Sequence, residues 1–475
     1  MFDTLDKIIS TASNFLYNGP YDCVPFVLLL LVFGGIMFTF RTRQVQITML
    51  GEAFRVILEK PQGKNTTSSF GALMVSTASR VGTGNIIGVS TALCLGGVGA
   101  IFWMWLIAII GGASAFVEST LAQIYKRRDE DGSCYGGPSY YMEQALGKRW
   151  LGVIFAIFVI LTYAVGYNAV AAYNVQSTFE AFSFYDFRTP YIIGAILAIL
   201  FAICVLGGGT RLTKVCEVLV PIMGVVYVLV AAVIVVMNVA ALPHTLKMVI
   251  ANAFDLNAIS AGFTGSCLMY GLKRGLYSNE AGMGSAPNAA ATADVSHPVK
   301  QGLVQTLSVY LDTLLICTAT AMMCLLSGVS PTKDIAGAPY VQQAMSVQLG
   351  KFGPIFLVVS LALFAFTTLI GNYSYCEGCL RFIFGHKPSK RFLIGFRLLC
   401  SGIVMLGAIA SMSLVWNLAD LTQGLMVVVN MPVIIILATP AIRCLDDYRR
   451  QRAEGKNPVF RSADIGLKEK TDYWV

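Results

Sequence analysis

The chain has 475 residues, of which 56% are hydrophobic and 13% charged, against about 25% charged in soluble domains. Apolar runs of membrane length recur throughout without two-residue alternation, so a soluble globule and a membrane β-barrel are both excluded. The net charge of +8 rests on basic residues in short loops, a topology signal and not a nucleic-acid footprint.

Residues 1–18 read as a short amphipathic helix with Leu5, Ile8, Ile9, Phe15 and Leu16 on its apolar side, and carry no secretory cleavage pattern. Eleven spans follow, near 24–40, 70–95, 101–125, 150–180, 190–208, 216–241, 258–278, 301–328, 354–384, 393–413 and 416–441. Placing 41–69 in the cytoplasm puts Arg41, Arg43, Arg55, Lys126, Arg127, Arg128, Arg211, Lys214, Lys273, Arg274, Lys387, Lys390, Arg391 and the tail from Arg443 inside. Outside are Lys7, Arg188, Lys247, Lys333 and Lys351. That asymmetry predicts an outside N-terminus and a cytoplasmic C-terminus. The twelve cysteines are scattered, mostly within apolar segments, and describe no disulfide framework.

The second span does not suit a continuous helix. Residues 71–93 hold Arg80 at mid-depth, then Gly82 and Gly84 around Thr83, then Asn85. Interior glycines weaken a helix, and an intramembrane charge needs a polar surrounding, so a break lining a polar cavity is expected. Glycine kinks usually serve helix packing, but the clustering of Arg80, Thr83 and Asn85 at this one argues against that here. The string GTGNIIG is also no dinucleotide loop, since no βαβ unit surrounds it.

Without the first span, spans two to six and seven to eleven make two five-helix halves of inverted topology. The expected divisions are 1–69 (amphipathic segment, extra span, loop), 70–241, 242–441 and a cytoplasmic tail, 442–475. Each half opens on a Gly-interrupted span, the second at GLKRGLYSNEAGMGSAP from Gly271, the pattern that marks a transporter site. Residues 129–147 and 279–300 are unusual cytoplasmic segments that fit either gates under the bundle or ordered loops. Residues 338–350 read as a short outer surface helix.

SRVGTGNIIGV, GGPSYYM, RGLYSNEAGMGSAPNAAATAD and AFTTLIGNYSYCE resemble the alanine/glycine:cation symporter family, over most of the chain. The resemblance implies an all-α bundle of about eleven spans. Ten form a five-plus-five inverted repeat of the leucine-transporter type, with broken first and sixth core helices. It also implies sodium-coupled import of a small neutral amino acid by alternating access, in the cytoplasmic membrane of a bacterium or archaeon, with no cofactor beyond the coupling ion.

Freed amides at Gly82, Thr83 and Gly84, with Asn85 beside them, suit a carboxylate at a half-helix N-terminus. Unwound carbonyls near Gly271 and Gly275 suit an amino group, and Tyr277 suits the pocket wall; Ser278, Asn279 and Glu280 offer polar tips, Glu280 as a gate or as a solvated helix end. The resemblance places sodium at the carbonyls of Ala78, Val81 and Phe364 and the hydroxyls of Thr367 and Thr368. On the residues alone, back-bonding along their own helix is the favoured reading of the two threonines. Asn168 matches a family Asn near the substrate. Ala171 stands where alanine-selective members carry Gln, and Asn372 where some carry a large aromatic, which points to glutamine or another neutral amino acid as an alternative substrate. Glu118, Asp312 and Glu377 are intramembrane acids, one of them a counter-ion for Arg80 or a proton-coupling group. Cys376 and Cys379 with His386 fall short of the four ligands of a structural zinc site. No catalytic constellation points to an enzyme, no charged ring to a channel, and no output domain to a sensor.

Overall fold

A computed structural model describes residues 2–19, 25–61, 63, 66–129, 132–207, 209–254, 267–467 and 471–474. Residue 24 of the first expected span, residues 258–266 of the seventh, Cys23, residues 130–131 of the charged turn and the Leu5 side chain lie outside this description.

The chain is almost wholly helical. The amino-terminal helix α1 (Phe2–Asn18) and the extra span α2 (Phe26–Arg41) precede ten core helices. Core helix 1 has two halves, Ser69–Arg80 and Ile87–Thr91, the second prolonged by a π segment to Gly96. Core helices 2 to 5 are Ala100–Ile124, Arg149–Ala181, Thr189–Val205 and Gly209–Met237. Core helix 6 is described over Cys267–Asn279 and, after an irregular turn, Ala286–Ala290. Core helices 7 to 10 are Pro298–Leu325, Phe352–Phe384, Lys390–Ile409 and Met412–Ile436. Core helix 8 has 33 residues, about 50 Å, so it tilts or projects beyond a ~30 Å hydrocarbon layer.

The packing follows the five-plus-five symmetry. Core helix 2 lies on its counterpart 7, and 4 on its counterpart 9. Core helix 1 packs on 5 and 8, and core helix 6 meets 10 and 3 through side chains, Arg274 with Asp420 and Tyr277 with Tyr167. Small residues allow these approaches: a Cβ at Gly302 of core helix 7 would fall 2.3 Å from Thr120 Oγ1 of core helix 2, and one at Gly194 of core helix 4 would fall 2.7 Å from Ala408 Cβ of core helix 9. Among the described residues, three π segments interrupt the helices, at Ala92–Gly96, Leu161–Tyr167 and Tyr310–Cys317. Two of them carry side chains of the central site, a common placement for π-bulges.

Three expectations change. The break in core helix 6 is not at Gly271–Gly275. Those glycines sit in regular helix and let it press on core helix 2, where their Cβ atoms would meet Ala100 O at 2.5 Å and Ile107 at 2.6 Å. Lys273 and Arg274 are not loop cations, because both are buried in an ion cluster with Asp420 of core helix 10. The helix at 338–350 is no mere surface element. Tyr340, Val341, Ala344 and Met345 are buried, Gln342 donates to Thr178 O at 2.5 Å, and Ser90 Oγ donates to Gly337 O at 2.7 Å. It caps the outer ends of core helices 1 and 3.

The opposite face of the bundle is also closed by ordered chain. A short hairpin pairs Arg127–Arg128 with Cys134–Tyr135 and leads into a helix, Pro138–Gln144, whose Tyr141 hydroxyl donates to Asn430 Oδ1 at 2.5 Å. The tail folds back beneath core helices 2 and 7. Trp474 Nε1 donates to Gln123 O at 2.7 Å, the Tyr473 hydroxyl donates to Asp294 at 2.8 Å, and the Lys126 ammonium lies 3.9 Å above the Tyr473 ring. Asp294 also accepts from Gly63 N and the Thr66 hydroxyl, tying in the segment before core helix 1.

His297, just before core helix 7, is buried beside Asp447 of the tail, Nε2 to Oδ2 3.3 Å. Burial pulls its imidazole below the ordinary value against the opposing pull of Asp447. Below about pH 6.5 the unfolded chain binds a proton that the folded one refuses, so stability is lost as pH falls through that window. Thermal unfolding in detergent is expected to show a lower Tm at pH 5.5 than at pH 7.5, with part of the difference gone in His297→Asn; an equal difference in that variant contradicts the assignment.

Candidate functional site: the two helix breaks

Core helix 1 stops where its sequence first permits it. Arg80 is the last helical residue, Gly82 is fully extended (φ −135°, ψ −155°), and Thr83–Asn85 form one 3₁₀ turn. Asn85 holds the break in shape. Its Oδ1 accepts from Gly82 N at 2.8 Å, and its Nδ2 donates to Asp312 Oδ1 at 2.6 Å. The Gly82 amide is thereby diverted from the carbonyl four residues back, that of Ala78. Among the described residues nothing accepts from the amides of Thr83 and Gly84. The break thus carries unpaired donors and a freed acceptor in a fully buried place, where each unmet backbone group is costly.

Core helix 8 lies directly against this break. A Cβ at Gly82 would fall 2.2 Å from Thr368 Oγ1, and one at Gly371 would fall 2.7 Å from Ser79 N. Among the described residues, the buried Thr368 hydroxyl has no hydrogen-bond partner. Thr367 behaves differently: its hydroxyl donates back to Leu363 O at 3.1 Å or Phe364 O at 3.0 Å and rests on Met223 of core helix 5. Back-bonding thus holds for one of the two threonines and fails for the other.

Core helix 3 closes another side. Asn168, Ala171 and Asn174 recur at three-residue spacing on one face, all buried. Asn174 Nδ2 donates to Thr83 Oγ1 at 2.9 Å, so Thr83 contributes its amide to the break while its hydroxyl is occupied. Asn168 and Asn372 are paired with each other, Nδ2 of Asn372 to Oδ1 of Asn168 at 3.0 Å. Asn372 also accepts from Ser79 Oγ at 2.8 Å. They staple core helices 1, 3 and 8 together.

Aromatic rings form the outer wall. A Cβ at Gly84 would fall 2.6 Å from the Tyr277 ring, which packs 4.6 Å from Tyr167 and 4.7 Å from Trp416, centroid to centroid. Trp416 carries the Arg274 guanidinium 4.2 Å above it. Asp420 accepts from Lys273 at 2.7 Å and Arg274 at 3.0 Å. Tyr277 was expected in this wall, whereas Tyr167, Trp416, Asp420 and Gln423 were not. Core helix 10 reads as one more apolar span, and nothing in its own sequence announces that Asp420 faces Lys273 and Arg274.

The second break begins at Glu280, a non-glycine residue in the left-handed region (φ 54°). Gly282 and Gly284 follow, at φ 83° and 84°, where only glycine is unstrained. Glu118 of core helix 2 organises this turn: its carboxylate accepts from Gly282 N at 3.3 Å, Gly284 N at 3.0 Å and Asn430 Nδ2 at 3.0 Å. Glu280 is no solvated helix end. It is wholly buried and accepts from Ser285 at 2.7 Å and Ser79 at 3.2 Å. Asp312 joins the breaks, accepting from Asn85 and from Ser278 Oγ at 2.7 Å. Glu377 stands apart from this set, partly exposed near Arg397 at 3.8 Å.

Arg80 has no carboxylate within ion-pair distance. It donates weakly to Gln305, at 3.3 and 3.4 Å, and its Nε and Nη2 have no partner among the described residues. Its charge nevertheless acts on Glu118, Glu280 and Asp312 alike. Three buried acids thus lie within the electrostatic reach of one guanidinium.

Two broken, symmetry-related helices meeting beside unpaired groups at mid-depth define a secondary transporter of the leucine-transporter fold. A solved structure, MhsT in complex with L-phenylalanine, superposes with a TM-score of 0.57 at 15% identity, covering 85% of this chain and 92% of that one. The sodium:alanine symporter family model matches residues 2–462, and the chain belongs to that family. Among its relatives are the probable sodium/glutamine symporter GlnT of Bacillus subtilis, 43% identical over 97% of this chain and 94% of that one. The sodium/alanine symporter AgcS of Methanococcus maripaludis is 34% identical over 94% and 99%. The chain is therefore a sodium-coupled amino-acid symporter.

If the contact at Gly84 shapes the site, Gly84→Ala pushes the Tyr277 ring away. The half-saturating amino-acid concentration is then expected to rise at least ten-fold with the protein still folded, read from uptake and from unfolding in parallel; unchanged half-saturation contradicts it.

Proposed function

We propose that both cargoes bind at the first break, the amino acid on one side and sodium on the other. The observation that carries this reading is the pairing of unmet groups there: free amides at Thr83 and Gly84, and an unpartnered Thr368 hydroxyl against Gly82 beside the freed Ala78 carbonyl. The amino-acid carboxylate takes the amides of Thr83 and Gly84, aided by the half-helix dipole. Sodium, a hard cation, takes Thr368 with the carbonyls of Ala78, Val81 and Phe364 and the Thr367 oxygen. Since each ligand organises backbone that the other uses, binding of one strengthens binding of the other by the same factor.

Tyr277, Tyr167 and Trp416 wall the amino-acid side chain. Ala171 leaves space on the core helix 3 face, and Asn372 spends its hydrogen bonds on Ser79 and Asn168 instead of the ligand. We therefore place glutamine or another small neutral amino acid beside alanine and glycine as substrate, in keeping with the glutamine symporter among the relatives. The basic loops support a cytoplasmic-membrane protein with its N-terminus outside, and they do so without Lys273 and Arg274.

Reconstituted protein is expected to accumulate labelled alanine or glutamine only with an inward sodium gradient. Uptake indifferent to sodium and membrane potential overturns the coupling, and alanine and glycine outcompeting glutamine throughout overturns the wider pocket. Thr368→Ala is expected to raise the half-saturating sodium about ten-fold, the loss of one charge-assisted contact, with Thr368→Ser near wild type. Equal sodium curves for the two variants would remove Thr368 from the ion site.

A further inference from the structure

The amino-terminal helix α1 is not simply an amphipathic surface anchor. Its expected apolar side is split: Ile8 and Phe15 are 63% and 61% exposed, whereas Ile9, Ser13 and Tyr17, one turn apart, are buried. A helix held only by the membrane surface would leave the tyrosine hydroxyl near water. Here Tyr17 is packed into the protein and only 1% exposed.

Two contacts fix α1 alongside core helix 10. Near its start, Asp6 accepts from Ser413 Oγ at 2.6 Å and Asn417 Nδ2 at 3.1 Å. Near its end, the Tyr17 oxygen accepts from Gln423 Nε2 at 2.8 Å. The two helices therefore run in the same direction, and Gly424 admits the tyrosine, since a Cβ there would fall 3.3 Å from its ring. Gln423 passes the contact inward: its Oε1 accepts from the Tyr167 hydroxyl at 2.7 Å, and its Nε2 also reaches Asp420 at 3.3 Å. The Lys273 ammonium sits 4.7 Å above the Tyr17 ring while bonded to Asp420. One side chain of α1 thus touches both the charged cluster and the aromatic wall through single contacts.

We propose that α1 is a working part of the outer gate and that Tyr17 is its positioning residue. The hydroxyl holds Gln423, and through it Tyr167; the ring holds Lys273 on Asp420. Together they favour the closed arrangement of core helices 3, 6 and 10 over the amino acid. The effect of Tyr17 falls on occlusion and not on chemistry at the break, and the inference rests on the transport reading above.

The test uses the full chain in proteoliposomes with labelled alanine and glutamine at saturating sodium. Tyr17→Phe, which keeps the ring and loses the hydroxyl, is expected to raise the half-saturating concentration about five-fold with the maximal rate per folded molecule little changed. Gln423→Leu should act similarly, and the double variant no worse than the more affected single one, because the two share a bond. In an Ala419→Cys background, sodium plus amino acid should slow labelling by an external membrane-impermeant maleimide, and Tyr17→Phe should weaken that protection. A merely structural Tyr17 would lower yield and maximal rate while leaving half-saturation and protection intact. That result, or effects of Tyr17→Phe and Gln423→Leu that multiply, overturns the proposal. Absence of sodium-driven uptake by the unmodified chain overturns the transport reading instead.

Discussion

The structure depends on one unresolved conflict at the first break. A bilayer requires every backbone polar group to find a partner within the protein. At Thr83 and Gly84 the chain leaves two amides without one, and beside them a threonine hydroxyl has none. The surrounding helices keep those groups in place. Asn85 turns the Gly82 amide away from its helical carbonyl and is itself held by Asp312, and Asn174 occupies the Thr83 hydroxyl so that only its amide stays free. Most polar side chains around the break satisfy each other, and this concentrates the unmet demand in a few atoms. Those few atoms are the ones we propose that the anionic and cationic cargo takes.

Charge reinforces the same point. Glu118, Glu280 and Asp312 are buried, and Arg80 is the cation that acts on all three. Each carboxylate has its own structural task. Glu118 shapes the turn after core helix 6, Glu280 begins it, and Asp312 joins it to core helix 1. Because these ties connect the two breaks, a change in charge at one break is felt by the hydrogen bonds of the other. Arg80, with two nitrogens unpartnered, serves all three acids at a distance and is committed to none.

The first break was legible because its signals are local. Gly82, Thr83, Gly84 and Asn85 are adjacent, and a glycine pair with polar neighbours has few uses inside an apolar span. The second break was misplaced for an equally physical reason. Gly271 and Gly275 carry the same letter as Gly282 and Gly284 but do a different job, close packing on core helix 2, and sequence cannot separate a glycine that needs space from one that needs a positive φ. Lys273 and Arg274 were misread because a charge count sees no partner on a helix some 146 residues away. Charge near the end of an apolar run was taken as a loop, when Asp420 makes it part of the bundle. The helix spans themselves needed no tertiary information, since bilayer thickness sets them. The split between Thr367 and Thr368 did need it, as it turns on which hydroxyl meets Gly82.

The two closures around the site are built differently, and that difference bears on how the carrier works. Outside the break, closure rests on side chains: stacked rings at Tyr167, Tyr277 and Trp416, and the Lys273–Arg274–Asp420 cluster. On the opposite side it rests on backbone-rich segments, the turn at Gly282–Gly284, the helix at Pro138–Gln144 and a tail locked by Tyr473 and Trp474. Rings and ion pairs separate by tilting a helix a few ångströms, whereas the inner layer must break many hydrogen bonds at once. Opening that layer therefore demands a larger change. With both ligands at the site we propose, such an asymmetric pair of gates ties the movement of one ligand to the movement of the other.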